Sequence, residues 1–255
     1  MNSVIRERAG TPVSRLLVIA AALACTMLPS LSAAQAPEPP VLLEPGELPP
    51  PPPGSGLPVP VGWDDPIFAN TRSSGSLILD GGEIVSNVSI QADGDEASVK
   101  GGAFTLRNSR VRSAEAVRVS NGDVVLEWVY LEADARDRPG NHADVIQCYG
   151  RGGDVVLKNS TIRAYSQNAT AGFFSADGFN GVFTFENVLF WGGPYGIRVE
   201  ADGGQQVNLR NVYFLEGSFG YQPYRINTSI GQWENVRWAR FENGQLVPGA
   251  LISRP

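Results

Sequence analysis

The chain has 255 residues, a formal net charge of −6 and 42% apolar residues. An acidic balance of this kind argues against general nucleic-acid binding and against adsorption to anionic membranes. Two cysteines, one of them inside a leader, exclude an intrachain disulfide in the mature protein, so the fold must be held by core packing.

Residues 1–34 read as a secretory signal peptide. Arg6, Arg8 and Arg15 precede an apolar run from Leu16 to Leu28, and small residues follow up to a cleavage site after Ala34. The run is too short to span a bilayer, and no later segment is apolar for long enough. The expectation is an exported protein, periplasmic or secreted, without a membrane span. Lipid attachment at Cys25 is disfavoured, because the large and small residues upstream of it stand in the reverse of the usual order. Removing the leader takes away three Arg and one Glu and leaves a mature charge of −8.

Residues 35–62 are dominated by proline, with an unbroken run from Pro49 to Pro53. Such a stretch favours extended polyproline conformation and reads as a semi-rigid linker. Residues 63–255 have ordinary globular composition and are taken as one domain.

Within that domain a phrase recurs: apolar, any, apolar, any, Asn, any, any, apolar. It occurs in full at Phe104 to Val111, Val155 to Ile162, Phe183 to Phe190 and Val207 to Phe214. Val124 to Leu131 keeps the apolar frame but has Trp128 in the Asn slot, and weaker copies surround Asn87 and Asn235. Spacing by two predicts a strand whose apolar residues and Asn point inward, followed by a bend. Asn at a bend can satisfy backbone groups and bond to the Asn of neighbouring units. Glycine pairs such as Gly101-Gly102 and Gly152-Gly153 mark the other corners.

The Asn slot falls at 87, 108, 128, 159, 187, 211 and 235, with intervals of 21, 20, 31, 28, 24 and 24 residues. A unit that cannot bury its own apolar face must stack on its neighbours. Short strands separated by bends, one turn per interval, predict an all-β solenoid, a parallel β-helix of about seven coils. The chain resembles the right-handed parallel β-helix superfamily, which is pectate-lyase-like and includes polygalacturonases and phage tailspikes. The resemblance rests on the Asn-bearing repeat from about residue 77 to 240.

The two longest intervals are adjacent, and extra residues there must bulge from the coils as neighbouring loops. Loops on a rigid scaffold are where binding residues concentrate. The first loop carries the sole histidine, in His142-Ala143-Asp144-Val145-Ile146-Gln147. This looks like the His-x-Asp-Gly-Ile-Gln segment of bacterial β-helix proteins, some of them polysaccharide-active, with Val145 in place of Gly. A His and an Asp two apart on a strand share a face and could share a proton or a ligand. The bland reading is that the pair braces the loop.

Aligning the coils on their glycine pairs sets Arg118, Gln147, Phe174 and Arg198 in one outward ladder, with Tyr149 level with Glu200. An aromatic flanked by Arg and Gln suits a sugar: a face for stacking and forks for hydroxyls or carboxylates. Two chemistries compete. Eliminative cleavage of a uronate needs a base and a cation, which Arg118, Arg198 or His142 could supply, with Asp134, Asp137 and Asp144 holding Ca²⁺ through hard oxygens. Hydrolysis needs two carboxylates across the bond, and the candidates are Asp144 with Asp177 or Glu200. The Asp pairs and Gly-His-Gly motif of polygalacturonases are missing, which favours the lyase-like reading. The expected function is an exported protein that binds and cleaves an acidic polysaccharide. The alternative is a non-catalytic envelope or surface protein that binds glycan or serves as a rod. Cys148 alternates with inward positions and reads as buried packing.

Overall fold

Each Asn-bearing phrase lies in a long strand with a bend at its centre. The computed structural model describes residues 57, 59–92, 97–134, 144–165, 169–176, 178–200, 204–243 and 245–255. The strands Phe104–Ser113, Val124–Ala133, Val155–Ala164, Val182–Gly192 and Gln206–Leu215 pair in parallel and in register. They form the body of an 11-stranded sheet. Between them the chain crosses to a 7-stranded parallel sheet of shorter strands, from Leu77–Leu79 through Ala97–Gly101, Glu115–Asn121, Ile146–Gly152, Phe173–Ser175 and Tyr195–Val199 to Gln222–Ile226. The result is a parallel β-solenoid of about 6 turns. Among the described residues the helical content is a single turn, Pro66–Phe68.

The bend has one cause, repeated. Asn87, Asn108, Asn159, Asn187, Asn211 and Asn235 all have left-handed backbone, with φ between 46° and 57°. Asn tolerates that conformation better than other L-residues because its short amide bonds locally. Asn187 donates to Asn159 at 2.9 Å, Asn211 to Asn187 at 3.0 Å and Asn235 to Asn211 at 2.7 Å, a ladder running along the solenoid. One detail differs from the expectation. These side chains are half-buried or exposed rather than inward, and the residue after each one fills the interior: Val88, Ser109, Ser160, Val188 and Val212 have no exposure. A positive φ resets the in–out alternation, so the inward position falls one residue after the Asn. Trp128 shares the bend, at φ 53°, which is an outlier for a bulky residue. Replacing Asn187 by Ala should cost about 2–3 kcal/mol, from two broken ladder bonds and a strained φ. A urea midpoint equal to that of the unaltered protein would refute this account of the bend.

The interior is mostly aliphatic in the early coils (Val99, Val117, Leu126) and gains a run of aromatics in the later ones. Phe173 meets Phe183 and Phe185 edge-on with centroids 5.0 Å apart, and Phe190 stacks on Phe214 at 5.5 Å. Glycine corners let the coils approach. A Cβ on Gly153 would lie 2.1 Å from the Gly122 carbonyl oxygen, and one on Gly181 2.1 Å from that of Gly153.

A second apolar cluster lies outside the barrel. Leu57, Val59 and Val61, inside the stretch assigned as linker, are 6, 5 and 3% exposed, and they cluster with Leu189, Tyr213 and Leu215. The Thr161 hydroxyl donates to the Pro60 carbonyl. Arg110 Nη1 donates to the Trp63 carbonyl at 2.5 Å, and the Arg110 and Arg112 guanidiniums lie 4.6 and 4.4 Å from the Trp63 ring centre. Pro60 and Trp63 thus sit two strands apart, roughly 9.6 Å at about 4.8 Å per strand. Three extended residues reach just that far. The segment is a strap across the long-strand sheet, and the packed domain extends back to Leu57, ahead of residue 63.

Candidate functional site

The opposite, short-strand sheet carries the ladder. Strand register sets Arg118 beside Gln147, Gln147 beside Phe174 and Phe174 beside Arg198. The same row continues outward in both directions, to Lys100 next to Arg118 and to Arg225 next to Arg198. Its last member is Ile78, paired with Lys100 and 76% exposed. Alternation explains why all of these face outward: their neighbours Val117, Val119, Ile146, Cys148, Phe173, Ile197 and Val199 are buried in the core.

Carboxylates hold the arginines in place. Glu115, 3% exposed, accepts from Arg118 Nε at 2.7 Å and Nη2 at 2.5 Å. Burial raises the Glu115 pKa against the pull of Arg118. Glu200 accepts from Arg198 Nε at 2.8 Å and from the Asn227 amide at 2.7 Å, with Arg225 at 3.5 Å. Burial works against the Glu200 carboxylate, but Arg198, Asn227 and Arg225 together hold its pKa below the ordinary value. Aromatic faces lie beside the cations: the Arg198 guanidinium is 5.2 Å from the Phe174 ring centre, and that of Arg118 is 5.9 Å from Tyr149. Tyr149 is 41% exposed. The two-point clamp on Arg118 and the single Nε bond on Arg198 restrict side-chain freedom before any ligand arrives.

Asp144 stands apart from this surface. It is 1% exposed, and its Oδ1 accepts from the Ala171 N–H at 2.6 Å. Its Oδ2 is buried with no hydrogen-bond partner. Burial pushes its pKa well above the ordinary value, Glu115 adds to the rise, and Ala171 and Arg198 oppose it. The carboxyl therefore braces the turn before Phe173 from inside the domain, and its enclosure makes it a poor ligand for a hard cation. His142, Asp137 and Asp177 lie outside the described residues. Of the expected Ca²⁺ set only Asp134, half-buried at the end of its strand, and Asp144 are described. Among the described residues no three His, Cys, Asp or Glu side chains come together as a metal site. Cys148 is fully buried, its thiol pKa raised by burial and by Asp144.

The Asp144 assignment has a pH signature. Its folded pKa lies above the unfolded value, so the folded state holds the extra proton between the two. Its stabilisation is complete below the unfolded value, about 3.9, and is lost as pH rises through the folded one. Asp144→Asn keeps the acceptor for Ala171 and removes this loss. The variant should therefore gain stability relative to the unaltered protein between pH 4 and pH 8, as read by urea denaturation at each. A constant difference would mean that Asp144 is ionised in the folded state.

Lys100, Arg225 and the clamp Glu115 were not picked out from sequence. Glu115, three residues before Arg118, was the detectable signal. Arg225 has no adjacent glycine pair to set its coil in register. What the fold and this face define is a parallel β-solenoid with an in-register row of cations, an amide and an aromatic on one side. No protein-family model matches the chain, and no curated protein or solved structure matches it either. Among the described residues no helix is long and apolar enough to cross a membrane.

Proposed function

We propose that this is an exported β-helix protein of the pectate-lyase-like kind that binds an acidic polysaccharide on its short-strand face. The supporting observation is the single outward row in which Gln147 and Phe174 stand between Arg118 and Arg198, each arginine fixed by a carboxylate. Phe174 offers a stacking face, Gln147 an amide for hydroxyls, and the guanidiniums forks for carboxylates. Eliminative cleavage is the chemistry these residues suit. Arg118 or Arg198 would neutralise the uronate carboxylate while His142 or an arginine takes the proton, and Ca²⁺ would be held through Asp134 and Asp137. The leader sequence supports export.

A non-catalytic reading has its own observation. Asp144, half of the His–Asp pair, is enclosed and engaged by backbone, so it offers no exposed base.

Purified protein screened against polyuronates and neutral glycans, with and without Ca²⁺, separates the two. Ultraviolet absorbance from unsaturated products means cleavage, and retention without it means binding alone. Phe174→Ala should weaken retention about tenfold, through loss of a stacking contact worth on the order of 1 kcal/mol or more. Unchanged retention would move the site off this face.

A further inference from the structure

We infer that two copies of this protein pair face to face through the first half of the long-strand sheet, with their solenoid axes antiparallel. Ahead of the bend, one outward row on that sheet reads Arg107, Glu127, Lys158, Glu186, Arg210, Glu234, each member paired in register with the next. The signs alternate without a break. The row starts after the uncharged Ser86, so it holds six charges. Beside it runs an uncharged row, Thr105, Val125, Val156, Thr184, Asn208 and Gln232. Between the two rows, Leu106, Leu126, Leu157, Phe185 and Leu209 are buried, so both rows face outward. The strap clusters with Leu189, Tyr213 and Leu215, all past the bend. Ahead of the bend, the Arg107, Lys158 and Arg210 side chains reach solvent.

Alternation has a cause within one copy. Like charges on neighbouring strands repel, and here Arg107 pairs with Glu127 at 3.1 Å, Lys158 with Glu186 at 3.7 Å, and Arg210 with Glu186. That cause does not set the number of charges. An even alternating row becomes its own opposite when reversed, whereas an odd one meets like with like. A twofold axis along the strand direction, between Val155–Ala164 and Val182–Gly192, turns a second copy end for end. Arg107 then faces the second copy's Glu234, Glu127 its Arg210, and Lys158 its Glu186. Symmetry repeats the three, so every charge in the row meets its opposite. The same rotation lays Val156 against the second copy's Thr184. An axis along the solenoid would instead face each charge with its own kind. The contact is isologous and closes at two copies. At about 4.8 Å per strand the row is roughly 24 Å long, and a patch two rows wide is small. A weak, reversible dimer is expected, with the short-strand face left open.

The test is sedimentation velocity of the purified protein from micromolar to several hundred micromolar, at low and high salt. The unaltered protein should dimerise at low salt and dissociate as salt is added. Lys158→Glu should weaken the dimer at least about tenfold, because the new acid faces Glu186 twice across the axis. Combining it with Glu186→Lys restores opposite charges across the interface but sets like charges beside Glu127 and Arg210 within each copy. That double variant should recover dimerisation to within about threefold of the unaltered protein. Circular dichroism checks the fold of both variants, and the salt series needs neither of them. A monomer at every concentration, a dimer indifferent to salt or to Lys158→Glu, or a double variant as weak as the single one would overturn the inference.

Discussion

Replacing Val59 and Val61 together by aspartate is expected to destabilise the domain by about 2–4 kcal/mol and to make it bind an apolar dye. Both valines are nearly enclosed against the outer face of the long-strand sheet, in one cluster with Leu57, Leu189, Tyr213 and Leu215. Full burial of a valine is worth about 1.5–3 kcal/mol. Part of that returns as backbone entropy when the strap comes free. Two carboxylates placed in this apolar strip would carry a desolvation cost that opposes docking. Release would expose a contiguous strip that includes Trp191 and Leu246. Exposed patches of this sort promote association. The measurements are the urea midpoint and dye fluorescence in native buffer. An unchanged midpoint without dye binding would show that the strap lies on the surface without contributing to the fold.

The second large effect is expected at the glycine corner. Gly153→Ala should cost at least about 4 kcal/mol and abolish soluble yield. Its φ of 152° disfavours any side chain, and the new Cβ would sit 2.1 Å from the Gly122 carbonyl oxygen, a backbone atom that moves only if the coils separate. Gly75→Ala is the control, because nothing lies within 4 Å of a Cβ there. Soluble yield and thermal unfolding of the two variants give the comparison. If Gly153→Ala proves as stable as Gly75→Ala, the coils are not held at closest approach along this corner.

These expectations show where the sequence was informative. The solenoid was legible because its cause is local and repeated: an apolar pair two apart, then an Asn at a bend that only a few residue types accept. The glycine pairs at the corners, read as fixed points of each coil, set Arg118, Gln147, Phe174 and Arg198 in one row despite unequal coil lengths. The strap was also written in the chain, as Leu57, Val59 and Val61 alternating with Pro58 and Pro60, but a proline-rich stretch reads first as linker. Its apolar face has meaning only once a sheet with Leu189 and Tyr213 on its outer surface exists to receive it.

By itself the sequence determined the all-β repeat, its period and the alternation of inward and outward residues, since each depends on neighbours a few positions away. Three matters were decided by tertiary structure alone. The left-handed φ at Asn moved the inward position by one residue. Packing enclosed Asp144 and set its carboxyl against the Ala171 N–H as a buried brace. Stacking of coils brought Lys100 and Arg225, 125 residues apart in the chain, into line with a ladder that loop lengths had hidden. Each of these depends on what a residue meets across the coils, and that is set only when the whole solenoid has closed on its core.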